Sequence, residues 1–413
     1  MADDFPFLAH LEVLPAWERA AGHFLARGGV VMVLGAPDTG KSTLCRYLVY
    51  RAYAAGQRVA LVDLDVGQSH LGPPTTLGLG LYPPRRPGDD GLFPEGLYFI
   101  GQTSPVGAIL EVTVGCRVLA DLALSQGVSR VVVNTSGFVQ GLGALRLKRS
   151  QAELLQPALI LGLQRDRELE PLLRGLGGDR RKEKAGEVSK EGRGPSPPIP
   201  TIPPQGRGSE VSTSFDNNSD SLLPYAGEED KIISGWPLMR LAVSGRAARR
   251  APAERRRYRE ERFRRYFHRA RPLKLPWRSL VWEGLPWGRG VPLAPGELRQ
   301  LHRALGVVPL YGEAQGRRLV LLLAAAPREH LGPSPAPWDQ VHWLSWPSLH
   351  FKLVGLLDGR RRTLSLGLIL PEAWDPAALA LWTPLAEPAS AGVHFVKVGK
   401  LHVSPQGQEL DDV

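Results

Sequence analysis

The stretch Gly35-Ala36-Pro37-Asp38-Thr39-Gly40-Lys41-Ser42-Thr43 reads G-x-x-x-x-G-K-[ST], a phosphate-binding loop. The run Gly29–Leu34 before it is apolar and β-branched, as a buried parallel strand is. Leu44–Tyr50 after it has the apolar spacing of a helix. Strand, glycine loop and helix N-terminus together make an anion site, because free backbone N–H groups and the helix dipole converge on the phosphates. In such a loop Lys41 faces the β- and γ-phosphates and Ser42 faces Mg²⁺. The residues therefore predict a nucleoside triphosphate ligand with Mg²⁺, and leave open what receives the phosphate.

Further strands are expected at Arg58–Asp63, Leu97–Ile100, Arg130–Asn134, Gln156–Leu161 and Leu238–Val243, with helical segments at Trp17–Leu25 and Leu119–Leu124. Strands alternating with helices predict an α/β P-loop fold, a parallel sheet flanked by helices with right-handed crossovers. Ligands bind beyond the carboxyl ends of such strands. Asp65, Thr103, Thr135 and the phosphate loop all fall there. Residues 175–234 break the pattern with Pro, Gly, Ser and charge, and read as a disordered insertion or a regulatory segment. Residues 244–269 are dense in arginine; on a helix, Tyr258, Arg262, Phe263, Tyr266 and Phe267 share one side. The expected division is a kinase domain with lid over 1–270 and a smaller, mostly β domain over 271–413. Strands in the latter are expected at Leu319–Ala324, Phe351–Gly355, Thr363–Leu370 and His394–Val398.

The chain carries a net charge of +10, which favours a polyanionic partner. With two cysteines, Cys45 and Cys116, a disulfide framework or cysteine zinc site is excluded. No run of eighteen or more uncharged apolar residues occurs, so no membrane span is expected. The acidic start, Met1–Phe7, lacks the features of a secretory signal, which predicts a cytoplasmic location.

Asp63-Leu-Asp65-Val-Gly-Gln68 ends the second strand. A carboxylate there can hold Mg²⁺ through water or accept a proton from an attacking hydroxyl. Asp65 is the first choice and Asp63 the second; alternation puts both on one side of a strand. Asn134–Gly143 is a loop of glycines and small hydroxyls, which lets backbone approach a ligand closely. Phe138 within it suits either stacking on a base or a place in the core. Gly101–Gly107 is a further strand-end loop. The arginine segment suits a lid, since an arginine closing over a transferred phosphoryl group stabilises its charge.

In their order, Gly35–Thr43, Asp63–Gln68, Thr103-Ser-Pro-Val-Gly107, Asn134-Thr-Ser-Gly-Phe138 and the arginine segment ending Arg265-Tyr-Phe267 resemble the polynucleotide 5′-hydroxyl kinases. Those include the RNA kinase subunit of messenger-RNA cleavage and tRNA-splicing machinery and the kinases of ribosomal RNA processing. Leu353–Asp358, Thr383-Pro384 and the region around Gly399 resemble that family's small β domain. The resemblance implies transfer of the γ-phosphate of ATP to a 5′-hydroxyl of RNA or DNA. It assigns phosphate binding to Lys41, Mg²⁺ to Ser42 and the general base to Asp65. Gln68, Thr103, Thr135 and Phe138 would meet substrate, and Arg250 and Arg255 would be the lid arginines. Phe138 stands where the eukaryotic RNA kinase has a tryptophan. With only a short stretch before Gly35, the eukaryotic N-terminal β domain is expected to be missing, so the adenine contacts must come from elsewhere. Two rivals remain: a small-molecule kinase, which needs no arginine-dense lid, and an ATP-binding switch or RNA-binding scaffold, against which the intact Lys41, Ser42, Asp65 and Gln68 set argues. Protein partners are not predicted.

Overall fold

In the computed structural model of the chain, residues 11–83, 94–177, 236–327 and 337–411 are described. The insertion expected over 175–234 lies outside them apart from 175–177, which close a helix rather than open a loop.

Helix α1 (Pro15–Arg27) leads to β1 (Gly29–Gly35), whose residues from Val31 on are buried. The loop after β1 turns through Asp38 (φ 59°) and Gly40 (φ 86°) into α2 (Lys41–Ala54). Strands β2 (Val59–Asp63), β3 (Thr76–Tyr82), β4 (Gly96–Phe99), β5 (Arg130–Asn134), β6 (Leu159–Gln164) and β7 (Leu238–Ala242) complete a sheet of order β4-β3-β2-β5-β1-β6-β7. Helices α3 (Ile109–Ser125), α4 (Gly141–Leu155) and α5 (Glu170–Gly177) join its strands. The apolar faces of strands and helices form two buried layers, one through Leu44, Leu48 and Val132 and the other through Val112, Leu119 and Val133.

The five strands β2, β5, β1, β6 and β7 are parallel, as expected. β3 is reversed, pairing antiparallel with β2 on one side and β4 on the other, so the sheet is mixed. Sequence reading passed over β3 because its glycines interrupt the apolar run. They are there for space, since a Cβ on Gly78 would fall 2.4 Å from the Leu71 carbonyl oxygen. The strand expected from Gln156 begins at Leu159; Gln156 itself terminates α4 in the left-handed conformation (φ 45°).

Helix α6 (Pro252–Phe267) carries the arginines and starts later than the arginine run, leaving 244–251 as a loop. Its C-terminal half is an anchor. Arg262, Phe263, Tyr266 and Phe267 are buried, as their shared face predicts, together with Phe99, Leu353, Leu366 and Val403.

Beyond it lie β8 (Arg271–Pro276), β9 (Val281–Glu283), β10 (Val291–Pro292), α7 (Pro295–Leu305), β11 (Pro309–Gln315), β12 (Arg318–Leu323), β13 (Gln340–Ser345), β14 (Lys352–Leu357), β15 (Thr363–Ile369), β16 (Ala378–Thr383), β17 (Phe395–Val403) and β18 (Glu409–Leu410). They form a sheet of order β18-β17-β14-β15-β16-β8, with β9 beside β17, and a four-stranded sheet β10-β11-β12-β13. A tryptophan-rich core of Trp277, Trp282, Trp287 and Trp346 joins the two. The six-stranded run of this sheet is fastened to the first one. The Phe99 N–H donates to Thr363 Oγ1 at 3.0 Å and the Lys400 N–H to the Gly101 carbonyl at 2.7 Å. Gly101 (φ 86°) and Gly399 meet so closely that a Cβ on Gly101 would lie 2.8 Å from the Gly399 Cα. No helix among the described residues is long and apolar enough to cross a membrane.

Candidate active site

One cleft of about 830 Å³ opens where the carboxyl ends of β1, β2 and β5 meet the arginine segment. Its floor is the phosphate loop. Gly35 opens the loop because no side chain fits: a Cβ there would fall 2.6 Å from Thr39 Oγ1. Thr39 Oγ1 donates to the Ala36 carbonyl at 2.9 Å, and Lys41 Nζ donates to the same carbonyl at 2.7 Å. Lys41 is almost wholly buried; burial draws its pKa down and Asp65 opposes this. Buried at the base of the cleft, that ammonium is satisfied best by an anion. Pro37, Asp38, Thr39, Gly40, Lys41, Ser42 and Thr43 all line the cleft, with Gly35 and Ala36 forming the turn behind.

The structure separates the two strand-end carboxylates. Asp63 is buried at the end of β2. It accepts the His70 N–H at 2.7 Å and Asn134 Nδ2 at 2.9 Å. Burial, with Asp65 beside it, pushes its pKa up to about 6 against those donors. The same Asn134 amide reaches Ser42 Oγ at 3.1 Å, so Asn134 links helix α2 to β2. Asp65 lies past the strand and lines the cleft, its Oδ1 accepting the N–H groups of Gly67 and Gln68 at 3.1 and 3.0 Å. β2 ends at Asp63, so Asp65 lies beyond the strand to which alternation applies.

A divalent cation fits this corner. The buried Asn134 Oδ1 has no hydrogen-bond partner, beside Ser42 and two carboxylates. The described residues hold no cluster of three or more His, Cys, Asp or Glu able to bind a metal unaided. Ser42, Asn134 and the carboxylates offer oxygen donors of the kind Mg²⁺ takes beside a substrate's phosphates.

Thr103, Ser104 and Pro105 form one wall, held by Gln102 Nε2, which donates to the carbonyls of Ser104 and Val106 at 2.5 and 2.7 Å. Ser136, Gly137 and half-buried Phe138 form another. Gly137 presses on the phosphate loop; a Cβ there would stand 2.8 Å from Pro37 Cγ. Thr135, expected at the substrate, is instead fully buried behind the cleft, where its hydroxyl donates to the Val33 carbonyl at 2.8 Å. Its hydroxyl is spent joining β5 to β1, and the residues after it face the space.

Lys148, unremarked in the sequence, supports that wall. It sits on α4, fully buried, and its Nζ donates to the Ser136 carbonyl at 2.9 Å and the Ser136 hydroxyl at 3.1 Å. Burial first, then Lys41, pushes its pKa down to about 7.

The roof comes from the arginine segment. The Arg250 N–H donates to Asp38 Oδ2 at 3.0 Å, and Arg255 Nη2 to the same oxygen at 2.7 Å. Arg250 Nη1 reaches Gln68 Oε1 at 3.2 Å. These donors hold the Asp38 carboxyl below its ordinary pKa although burial pulls the other way. Asp38, on the phosphate loop, thus draws both arginines over the phosphates' place. Arg165, unmarked by any motif, bridges the carbonyls of Asp38 and Ala247 at 2.8 Å each. Of the acids on α6, Glu260 and Glu261 pair with Arg256 and Arg264, while Glu254 accepts the Ala251 N–H and caps the helix. Arg259 pairs with Glu409 across the sequence. At the far end of the cleft, Leu11, Glu12 and Trp17 face Ser244, Arg246 and Ala247.

The family profile described as the mRNA cleavage and polyadenylation factor CLP1 P-loop matches residues 35–193. The polyribonucleotide 5′-hydroxyl-kinase of Pyrococcus horikoshii is 25% identical over 94% of this chain and 89% of its own length. Over its phosphate-loop region the chain is similar to the Clp1 family. The polyribonucleotide 5′-hydroxyl-kinase of Thermococcus kodakarensis is 28% identical over 92% of this chain and 90% of its own. A Clp1 relative so named in Rattus norvegicus is 34% identical, over 43% of this chain and 44% of its own. The family fold extends across both parts of the molecule: solved Clp1p, from work on its interface with Pcf11p, aligns with 94% of this chain and 80% of its own at a TM-score of 0.54 and 10% identity.

Proposed function

We propose that the chain is an ATP-dependent polynucleotide 5′-hydroxyl kinase acting on RNA. The observation that carries this reading is convergence: phosphate loop, strand-end carboxylate, acceptor loops and two arginines all border a single cleft. The profile match, and the names of relatives that align along nearly the whole chain, support the same activity.

Lys41 and the loop N–H groups hold the β- and γ-phosphates. Ser42, with Asp65 or Asp63, would hold Mg²⁺, which when bound offsets the negative charge of the phosphate oxygens. The base and ribose of ATP extend toward Leu11, Glu12, Trp17 and Arg246, which line the cleft beyond the phosphate loop. The acceptor enters between Thr103–Pro105 and Ser136–Phe138, where the Phe138 ring gives its first base a stacking face. The 5′-hydroxyl attacks the γ-phosphorus in line. Its O–P bond forms as the bond to the β-phosphate oxygen breaks, its proton passes to Asp65, and ADP leaves. Lys41, Arg250 and Arg255 carry the charge that builds on the transferred oxygens.

The test is transfer of labelled γ-phosphate to matched 5′-hydroxyl RNA and DNA oligonucleotides by wild type and Lys41→Ala. Label on RNA from wild type alone is expected. ATP binding without label on either polymer would overturn the reading in favour of a nucleotide-binding switch or scaffold.

A further inference from the structure

The loop Gly101–Gly107 walls the cleft on one side and meets the second sheet on the other. Thr103, Ser104 and Pro105 face the cleft. Two residues on, Gly107 lies beside Lys400: a Cβ on Gly107 would stand 3.6 Å from Lys400 Nζ. Lys400 is held in register by its own N–H on the Gly101 carbonyl and by Lys352 Nζ, which donates to the Lys400 carbonyl at 3.0 Å. Its ammonium is exposed, and among the described residues it has no carboxylate at ion-pair distance. The acids nearby are otherwise engaged: Glu283 pairs with Arg361 at 2.8 Å, and Glu111 acts on Lys397. The same loop and the helices that follow the two acceptor loops expose apolar side chains. Val106 and Leu110 are 59% and 72% exposed. Leu142, 73% exposed, joins them through Gly143, which packs on both Phe138 and Ile109.

An acceptor longer than one nucleotide cannot be housed in the cleft alone; its chain must leave past one of the two acceptor loops. A single strand is held by cations that track its phosphates and apolar or aromatic faces that meet its bases. Both are present on this path and are continuous with the cleft.

We propose that Lys400, with Val106, Leu110 and Leu142, forms a second segment of the acceptor site, which grips the nucleotides 3′ of the reacting end of a single-stranded polynucleotide. Lys400 takes a backbone phosphate, and the apolar rim meets the bases that follow the one at Phe138. The second sheet thereby belongs to the substrate site. This inference rests on the kinase reading for the identity of the acceptor.

The experiment compares wild type, Lys400→Ala, Lys400→Arg and Leu110→Ser, all surface changes. Each is given a 5′-hydroxyl dinucleotide and an oligoribonucleotide of about twelve nucleotides, a length within the reach of single-strand sites. For Lys400→Ala the longer acceptor's KM rises about three- to tenfold and the slope of its salt dependence falls by roughly 0.7, as loss of one phosphate contact requires. Its kcat and the dinucleotide KM stay as in wild type, Lys400→Arg keeps wild-type values, and Leu110→Ser raises KM for the longer acceptor alone. Equal losses on both acceptors, or none on the longer one, overturn the proposal. Fluorescence anisotropy of the longer strand, read without ATP, separates the two readings. A wild type that binds the strand through Lys400 yet never phosphorylates it removes the kinase and keeps the segment. Unchanged binding by Lys400→Ala, in an enzyme that does phosphorylate, removes the segment and keeps the kinase.

Discussion

Replacing Lys148 by Met tests whether the acceptor wall rests on a buried amine. In the folded chain that amine titrates at about 7, against 10.5 for an ordinary lysine, a difference of 10.5 − 7 = 3.5. Each unit is worth about 1.4 kcal/mol, so burial costs wild type up to about 5 kcal/mol at neutral pH. The sign follows from the lowered value. Above the unfolded pKa the amine is neutral in both states and the cost vanishes. As pH falls toward 7 the unfolded chain takes up a proton that the folded chain does not, and stability is lost. Below 7 the full cost remains. Methionine cannot titrate, so its variant lacks this dependence. Urea unfolding of both proteins at pH 7.5 and 9.5 reads it directly. The stability of wild type relative to Lys148→Met rises by about 2–3 kcal/mol across that interval, other groups cancelling between the two. The absolute difference at one pH is a poorer guide, because Met also strands the Ser136 carbonyl and hydroxyl at about 1–3 kcal/mol. Parallel pH dependences would refute the argument and place a neutralising partner beside Lys148.

Asp65→Asn removes the proposed proton acceptor, which lowers kcat by about 10²–10⁴, while ATP affinity, measured by calorimetry, stays near wild type. A comparable loss of ATP affinity would instead make Asp65 chiefly a metal ligand. Arg255→Ala frees Asp38 and strips charge from the roof; single-turnover phosphoryl transfer slows by about 10³ or more, and an unchanged rate would mean the arginine never reaches the phosphates. Gly137→Ala drives a methyl group into Pro37, so ATP binding weakens at least tenfold as the phosphate loop is displaced; wild-type affinity would show that the two loops separate in solution.

Much of the site was legible because its chemistry depends on short local motifs. The phosphate loop, Asp65, Gln68, Thr103–Pro105, Phe138 and the two arginines come from segments far apart in sequence, and all reach the same cleft. Thr135 was misplaced because a hydroxyl at a strand end has two possible directions, and only the partner strand decides between them. Lys148 and Arg165 could not be found by motif. A lysine on an otherwise ordinary helix reads as surface, and its burial shows only once α4 is laid against the loop it supports. In the fold, runs of β-branched residues located the parallel strands, whereas β3 hid behind glycines that make room for Leu71. Most short strands of the second sheet system lack long apolar runs, and their pairing supplies what composition does not.

Helix α6 is packed into the core at its C-terminal end, whereas its N-terminal half is held by polar contacts such as Arg255 with Asp38 and Tyr258 with the Ser69 carbonyl. Phe263, Tyr266 and Phe267 are clamped between the two sheets, the Arg262 guanidinium donates to the Gly72 carbonyl, and Gly407 lies directly on the backbone at Arg264. Mechanically the packed end is the root of a lever and the polar end its tip. From the clamp to Pro252 it is roughly 16 Å long, at 1.5 Å per residue, so a tilt of about 5° at the root moves the tip by roughly 1.4 Å. A displacement of about 1 Å at a reacting centre can cost two orders of magnitude in rate. Trimming a side chain such as Leu366 or Val403, far from any phosphate, therefore reaches the chemistry through leverage and registers as a slower enzyme before it registers as an unstable one.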